Sequence, residues 1–161
     1  MIFVTVGTQL PFDRLVSAVA AWHRKHADHE IFAQVGASTA APPFPSVPFL
    51  DGPAFARTFD KADLVVSHAG IGTVLACWAR EKPLVVMPRA HALGEHRTDH
   101  QIATVNRLGE ELSLAAARDS EQLARLLNTA WSQLIPRRTL PPVSGERISD
   151  RINDWLKAPQ P

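Results

Sequence analysis

The sequence lacks the features that tie a protein to a bilayer, to nucleic acid or to an oxidising compartment. No apolar run approaches the roughly 20 residues needed to span a membrane, and the formal net charge of the 161 residues is +1. A non-specific nucleic-acid binder needs a basic surplus to replace phosphate counterions, so we expect no nucleic-acid partner. A single cysteine, Cys77, excludes an intrachain disulfide and a cysteine zinc site. Its apolar neighbours indicate a small buried residue.

The N-terminal residues also lack the basic region and the long apolar region of a secretory signal peptide. We therefore expect a cytoplasmic protein without a membrane anchor of its own. A hydrophobic content of 45% and a charged content of 20% are ordinary for a soluble globular protein. The length suffices for one domain with a real core.

Short apolar runs alternate with amphipathic helical patterns along the chain. Strands are predicted at residues 2–6, 30–35, 63–67 and 84–87, with shorter edge strands at 49–51 and 111–114. Helices are predicted at residues 12–26, 55–61, 70–80, 98–108 and 120–134, and the proline-rich residues 36–48 are predicted to form a loop. This alternation predicts an α/β fold, a Rossmann-like parallel sheet with helices on both faces.

The pattern also predicts how the chain is divided. Residues 1–135 are expected to form the domain, and residues 136–161 a proline-containing connection followed by a C-terminal amphipathic helix at 145–156. Ile148, Ile152 and Trp155 give that helix an apolar stripe. It either packs on its own domain or contacts a partner.

One loop carries the pattern of a phosphate site. Ligands of parallel α/β sheets bind beyond the carboxyl ends of the strands, where residues 68–73 (hereafter the glycine turn) would lie. Gly70 and Gly72 let the backbone approach a ligand closely, and the following helix N-terminus offers free N–H groups. Thr73 adds a hydroxyl, and His68 can donate to a phosphate oxygen. The alternative for His68 is a buried histidine bonded to a loop carbonyl.

The glycine turn differs from the common nucleotide fingerprints. Leu75 stands where the dinucleotide pattern needs its third glycine, and the P-loop lysine is absent. NAD-dependent and ATPase functions are therefore disfavoured.

A second polar cluster follows at residues 94–101, on the same predicted edge of the sheet. Thr98 and Gln101 also match a helix capping box, which is the structural alternative for Gln101. His96 and His100 have the spacing of metal-binding histidines but lack the glutamate of the zincin pattern, so no metal is expected.

Four segments in order resemble the donor-binding half of family 28 glycosyltransferases: residues 3–8, 67–73, 82–89 and 94–101. The match covers most of residues 1–130 and is similar to the small catalytic subunits of two-part UDP-sugar transferases, including dolichol-linked GlcNAc transferases and bacterial exopolysaccharide glycosyltransferases. The resemblance implies a domain equivalent to the C-terminal half of a GT-B glycosyltransferase. It also implies a UDP-sugar donor substrate and no metal or other cofactor.

The resemblance assigns roles to particular residues. The implied donor-binding residues are Gly7, Thr8, His68, Gly70, Gly72, Thr73, Arg89, Glu95, Arg97 and Gln101. The glycine turn would meet the diphosphate, and Gln101 with Asp99 or His100 would meet the sugar hydroxyls. Candidates for catalysis are His96, Asp99 and His100, and the general base belongs either to this chain or to a partner.

The resemblance further implies an inverting transfer to a lipid-linked saccharide acceptor in polysaccharide biosynthesis. A membrane-anchored, acceptor-binding partner subunit would hold the chain at the inner face of the membrane. Two alternatives stay open: a non-catalytic regulatory subunit that binds nucleotide sugars, and a sugar-nucleotide epimerase-like protein.

Two positions depart from the family pattern. Many relatives carry a glutamate, which holds the ribose hydroxyls, where this chain has Ala76. Relatives often end the same helix with glycine, but Glu81 stands here. A non-glycine residue in the left-handed conformation costs roughly 1–2 kcal/mol, so we expect this helix to end differently.

Overall fold

Six parallel strands form one sheet in the order β3-β2-β1-β4-β5-β6. We analysed a computed structural model that describes residues 1–111 and 113–136. The strands are β1 (Ile2–Thr5), β2 (Ile31–Gln34), β3 (Ser46–Val47), β4 (Leu64–His68), β5 (Leu84–Met87) and β6 (Ala115–Ala116). The predicted helix at 145–156 lies outside the described residues.

The described helices are α1 (Asp13–His23), α2 (Gly52–Lys61), α3 (Ile71–Ala79), α4 (His100–Glu111) and α5 (Ser120–Leu127). Short 3₁₀ turns occur at His91–Leu93 and Trp131–Leu134. In the part of the chain that the structure covers, no helix is both long and apolar enough to cross a bilayer.

The sheet is buried on both faces, as its apolar strands predict. Along β1, Ile2 and Val4 pack into one core with α1 and α5, whereas Phe3 packs into a second core with α2, α3 and α4. Because side chains alternate across a strand, these two cores lie on opposite faces of the sheet. The predicted parallel sheet with helices on both faces is confirmed. Cys77 is fully buried in the second core, and burial raises the pKa of its thiol to about 12.

Strand order reverses between β1 and β4. From β1 the chain first builds outward through β2 and β3, and then returns to place β4 on the other side of β1. In Rossmann-type sheets this reversal opens a crevice at the carboxyl ends of the two central strands. The β1 and β4 ends therefore define where a ligand site is expected.

The edge strands were predicted at the wrong positions. β3 lies inside the predicted loop and is flanked by Pro45 and Pro48, whose carbonyl groups accept hydrogen bonds from the N–H groups of Ala33 and Gly36. Proline is tolerated at the edge of a sheet because the N–H group that it lacks would face away from the neighbouring strand. The predicted strand at 49–51 is wrong because Asp51 instead caps α2, accepting from the Ala54 N–H at 2.7 Å.

The other boundary errors lie near the C-terminal end of the sheet. α4 runs from His100 through Glu111, so the predicted helix at 98–108 is displaced and β6 forms at 115–116 rather than 111–114. The helix predicted at 120–134 ends at Leu127. Asn128 follows it and accepts a hydrogen bond from the indole of Trp22 at 2.8 Å.

The end of α3 also differs from expectation. Glu81 adopts the left-handed conformation with φ 50°. The Glu81 N–H donates to the Trp78 carbonyl at 3.2 Å and the Lys82 N–H to the Cys77 carbonyl at 2.9 Å. These two bonds form a Schellman motif. The helix thus ends with the geometry that glycine favours, although a glutamate occupies the position.

Candidate functional site

A cavity of about 450 Å³ opens at the carboxyl ends of β1 and β4. Three loops surround it: the β1–α1 loop, the glycine turn between β4 and α3, and the β5–α4 loop. Ten residues that the sequence singled out line it: Gly7, Thr8, His68, Gly70, Gly72, Thr73, Arg89, His96, His100 and Gln101. The predicted convergence of three loops at one sheet edge is therefore present.

The imidazole of His68 lies between two glycines. A Cβ atom added to Gly70 would lie 2.3 Å from Nε2, and one added to Gly7 would lie 2.7 Å from Cε1. Both positions must therefore be glycine for the ring to occupy this place. Gly7 also has a φ of +79°, a conformation that favours glycine.

His68 is held in its uncharged form. Burial, followed by the nearby charge of Arg89, lowers the pKa of His68 to about 4. Its buried Nδ1 atom has no hydrogen-bond partner among the described residues. A backbone hydrogen bond with Thr5 acts in the opposite direction on this pKa, so the alternative in which a carbonyl engages the ring stays open. An uncharged imidazole can donate one hydrogen bond to an anion, but it brings no positive charge.

The first turn of α3 faces the same cavity. Gly70 is the N-cap residue, so α3 has no side-chain cap, and Thr73 donates its N–H to the Gly70 carbonyl at 3.1 Å. The helix N-terminus carries a partial positive charge from its aligned peptide dipoles. Gly72 has open space where a Cβ would lie. This turn has the chemistry of an anion-binding helix end.

Arg89 lines the inner wall of the cavity and is only 1% exposed. Its guanidinium donates to the carbonyl oxygens of Val6 at 2.8 Å, Pro11 at 2.7 Å and Glu95 at 3.0 Å. It also sits over the ring of Phe12, at 4.6 Å from the centroid. The side chain thus joins the β1–α1 loop to the β5–α4 loop. Carbonyl groups are neutral, so these bonds leave the positive charge in place.

Glu95 lies outside the cavity lining. Its carboxylate accepts two hydrogen bonds from Arg14, at 2.7 and 2.8 Å, and one from the Ala90 N–H at 2.9 Å. Arg97 and Asp99 are exposed and are likewise absent from the described lining. Asp99 accepts from the His91 N–H at 2.8 Å. The donor-binding roles of Glu95 and Arg97 and the catalytic role of Asp99 stay predictions.

Two histidines of the second polar cluster form part of the wall. The rings of His96 and His100 meet edge to face, with centroids 4.4 Å apart. Nδ1 of His100 lies 2.6 Å from the Thr98 hydroxyl, which leaves its Nε2 for other contacts. Burial and the neighbouring His100, Arg89 and Arg97 lower the pKa of His96. In the described residues no three ligating side chains gather as a metal site would require.

Gln101 has a different role from the capping-box alternative. It is buried, lines the cavity and accepts a hydrogen bond from the Arg89 backbone N–H at 3.1 Å. The capping-box interpretation is wrong because α4 begins at His100 and the side-chain amide oxygen of Gln101 accepts from Arg89, two residues beyond β5, rather than from Thr98.

Four residues at or near the cavity were not predicted from the sequence. Gln34, Phe55 and Thr104 line the cavity, and Arg14 lies outside it and bonds to Glu95. Gln34 donates to the Gly7 carbonyl at 3.3 Å and accepts from the Leu50 N–H at 3.0 Å, so it supports the β1–α1 loop. The one signal for Gln34 was a polar residue inside an apolar strand. Arg14 and Phe55 gave none, since both sit in ordinary amphipathic helices.

The strand order and a cavity at the reversal define a Rossmann-like α/β domain. Residues 1–133 match the family described as the glycosyltransferase family 28 C-terminal domain. The chain belongs to this family, and the resemblance of the four segments is confirmed.

Named relatives agree with this assignment. The chain is 34% identical to the human UDP-N-acetylglucosamine transferase subunit ALG13 over 109 residues, which is 61% of this chain and 10% of that protein. It is 36% identical over 81 residues to the Hydrogenovibrio crunogenus UDP-N-acetylglucosamine--N-acetylmuramyl-(pentapeptide) pyrophosphoryl-undecaprenol N-acetylglucosamine transferase, covering 50% of this chain and 22% of the relative.

Solved structures share the fold. MurG from Acinetobacter baumannii superposes with a TM-score of 0.63 at 19% identity, over 97% of this chain and 49% of MurG. The calicheamicin glycosyltransferase CalG4 gives a TM-score of 0.53 at 18% identity, over 82% of this chain and 34% of CalG4. The chain thus spans about half or less of each of these proteins.

Proposed function

We propose that this chain is the donor-binding subunit of an inverting, metal-independent glycosyltransferase that uses a UDP-sugar. The observation that carries the proposal is the cavity at the strand-order reversal, where an uncharged His68 and the N-terminus of α3, which has no side-chain cap, line one wall in a family 28 domain. A diphosphate fits this chemistry because it is anionic and accepts several hydrogen bonds.

The diphosphate would lie at the glycine turn, with Gly72 as its closest backbone approach. His68 would donate one hydrogen bond to a phosphate oxygen, and Thr73 would add its hydroxyl. The charge of Arg89 would attract the anion from the inner wall of the cavity, where three backbone carbonyl groups hold the guanidinium. Gln101, His96 and His100 line the same cavity and would meet the sugar and its reaction centre.

In the proposed reaction, an acceptor hydroxyl oxygen forms a bond to the anomeric carbon while the bond from that carbon to the β-phosphate oxygen breaks. UDP leaves with the bonding electron pair, and a base takes the hydroxyl proton. Stabilising the leaving diphosphate is the task of the glycine turn. Base candidates in this chain are His96 and His100, which line the cavity, and the exposed Asp99.

The acceptor side of the site would come from a separate subunit. One relative, the human protein, is itself named as a transferase subunit. We therefore infer a membrane-anchored partner that presents a lipid-linked saccharide. The chain would work in the cytoplasm, at the inner face of the membrane, in polysaccharide biosynthesis.

Calorimetry with UDP, UMP and UDP-N-acetylglucosamine tests donor binding. We expect UDP and the UDP-sugar to bind and UMP to bind more weakly, because UMP lacks the second phosphate. His68→Ala should lower UDP affinity by roughly 10- to 100-fold, the loss expected for one charge-assisted hydrogen bond. Absence of UDP binding, with and without the partner subunit, would refute the proposal.

The two alternative functions predict different outcomes. A regulatory subunit would bind the nucleotide sugar, yet the reconstituted pair would transfer no sugar. An epimerase would change the sugar of the UDP-sugar without any acceptor, which chromatography of the nucleotide products detects. Acceptor-dependent transfer that disappears in His68→Ala would exclude both.

A further inference from the structure

Arg14 connects three segments that are distant in sequence. From the first turn of α1, its guanidinium donates to the Glu95 carboxylate, to the Pro88 carbonyl at 2.8 Å and to the Arg118 carbonyl at 2.9 Å. The bond to Glu95 is bidentate, because Nε and Nη2 each reach a different carboxylate oxygen. The side chains are 22% and 10% exposed, so solvent screens this pair less than a surface pair.

Glu95 passes this restraint to the cavity wall. Its carboxylate accepts from the Ala90 N–H, its own N–H donates to the Ala90 carbonyl at 3.2 Å, and its carbonyl accepts from Arg89. Residues 90–95 are thereby closed into a compact loop. The next residue is His96, which lines the cavity.

Phe12 completes the network. Its fully buried ring lies under both guanidinium groups, at 4.6 Å from Arg89 and 5.3 Å from Arg14. Two cations therefore share one aromatic ring, and the Glu95 carboxylate offsets their charge. Burial lowers the pKa of Arg89, and the charge of Glu95 acts in the opposite direction. Loss of the carboxylate would leave two neighbouring cations with no anion bonded to either.

We propose that Arg14 is a positioning residue: through its bidentate bond to Glu95 it fixes the loop that presents His96 and His100 to the cavity. The consequence for donor binding rests on the proposed function, whereas the effect on the histidines does not. Lysine cannot replace arginine here, because it has no planar fork to meet both oxygens.

The test compares Arg14→Lys, Glu95→Gln and the double variant. Each single change should weaken UDP binding about tenfold, the scale on which supporting contacts affect the groups they orient. Because both changes remove the same bond, the double variant should also lose about tenfold rather than about 100-fold. In the ligand-free variants, the imidazole NMR signals of His96 and His100 should shift.

Two controls separate positioning from stability. Arg125→Lys and Glu121→Gln break an ion pair of the same residue types on α5, where the side chains are 61% and 83% exposed. Ile31→Val removes one methyl group from the core at the amino end of β2, whereas the cavity lies at the carboxyl ends of the strands. All three should leave UDP affinity and the two histidine signals unchanged. An Ile31→Val affinity loss equal to that of Arg14→Lys would overturn the proposal.

The remaining outcomes are also decisive. Unchanged UDP affinity in both single variants, with binding intact in the parent, would refute the positioning role and leave the donor site standing. A 100-fold loss in the double variant would show that the two residues do not act through one bond. If the parent binds no UDP, the donor proposal fails, and the histidine signals alone decide the positioning role.

Discussion

The two glycines of the glycine turn should respond in opposite ways to the same substitution. Gly70→Ala places a methyl group 2.3 Å from Nε2 of His68, so the ring must move. The Gly70 backbone has φ −80° and ψ 126°, which alanine adopts without strain. Any loss of folding stability in Gly70→Ala therefore comes from the steric clash with His68. Overpacking of this kind costs about 1–3 kcal/mol. We expect the melting temperature to fall by roughly 2–12 °C.

Gly72→Ala is the matched control, two residues along the chain. No heavy atom lies within 4 Å of its added Cβ, and Gly72 is in the first turn of α3. Alanine is favoured over glycine in a helix by roughly 0.5–1 kcal/mol. The melting temperature should therefore rise by roughly 1–4 °C. If the diphosphate contacts this backbone, the same methyl group should lower UDP affinity by roughly 5- to 150-fold.

Thermal denaturation and UDP calorimetry on the two variants decide the matter. Gly70→Ala with unchanged stability would contradict the packing of His68 between glycines. A more stable Gly72→Ala that binds UDP like the parent would show that the diphosphate does not lie at the glycine turn. Adding Gly70→Ala to His68→Ala should cost nothing further, because the ring that it displaces is gone.

Two further predictions concern stability. Glu81→Gly should raise the free energy of unfolding by about 1 kcal/mol, measured by urea denaturation, because it relieves the left-handed glutamate; Glu81→Ala, equally strained, should give no such gain. His68 has a pKa of about 4 when folded against 6.5 when exposed, so the unfolded chain binds its proton first as pH falls. From pH 7 to 5, the parent should therefore lose about 2 kcal/mol more than His68→Asn; equal losses would contradict a buried, uncharged His68.

The central strands could be predicted because their sequences allow one interpretation. β1, β4 and β5 each begin with three or four consecutive apolar residues, and such runs are typical of strands buried on both faces of a parallel sheet. The edge strands could not be predicted. β3 and β6 are two residues each, and the carbonyl groups of the prolines that flank β3 take part in its pairing. Hydropathy carries no information about which carbonyl groups meet which N–H groups.

The site divides in the same way. The glycine turn is one short segment, and His96, His100 and Gln101 belong to another. The spacing of residues within each segment was therefore enough to predict them as site residues. Arg14 and Gln34 act on loops 81 and 27 residues away, through contacts that exist only after the sheet has formed. The donor-binding role of Arg89 stays a prediction: the residue lines the cavity, and its guanidinium bonds to backbone carbonyls. The sequence showed a cation beside the site without showing what it contacts.

The placement of Arg89 reconciles its neutral contacts with an anion site. Its three carbonyl partners fix the guanidinium geometrically and leave its charge uncancelled, apart from the offset by Glu95. That charge already reaches the cavity, because it is the second cause of the lowered His68 pKa. The same field that disfavours a proton on His68 would attract a diphosphate. His68 would thus contact the diphosphate as an uncharged donor, while Arg89, held in place by carbonyl groups, supplies the positive charge. No charged side chain would need to move when the anion binds.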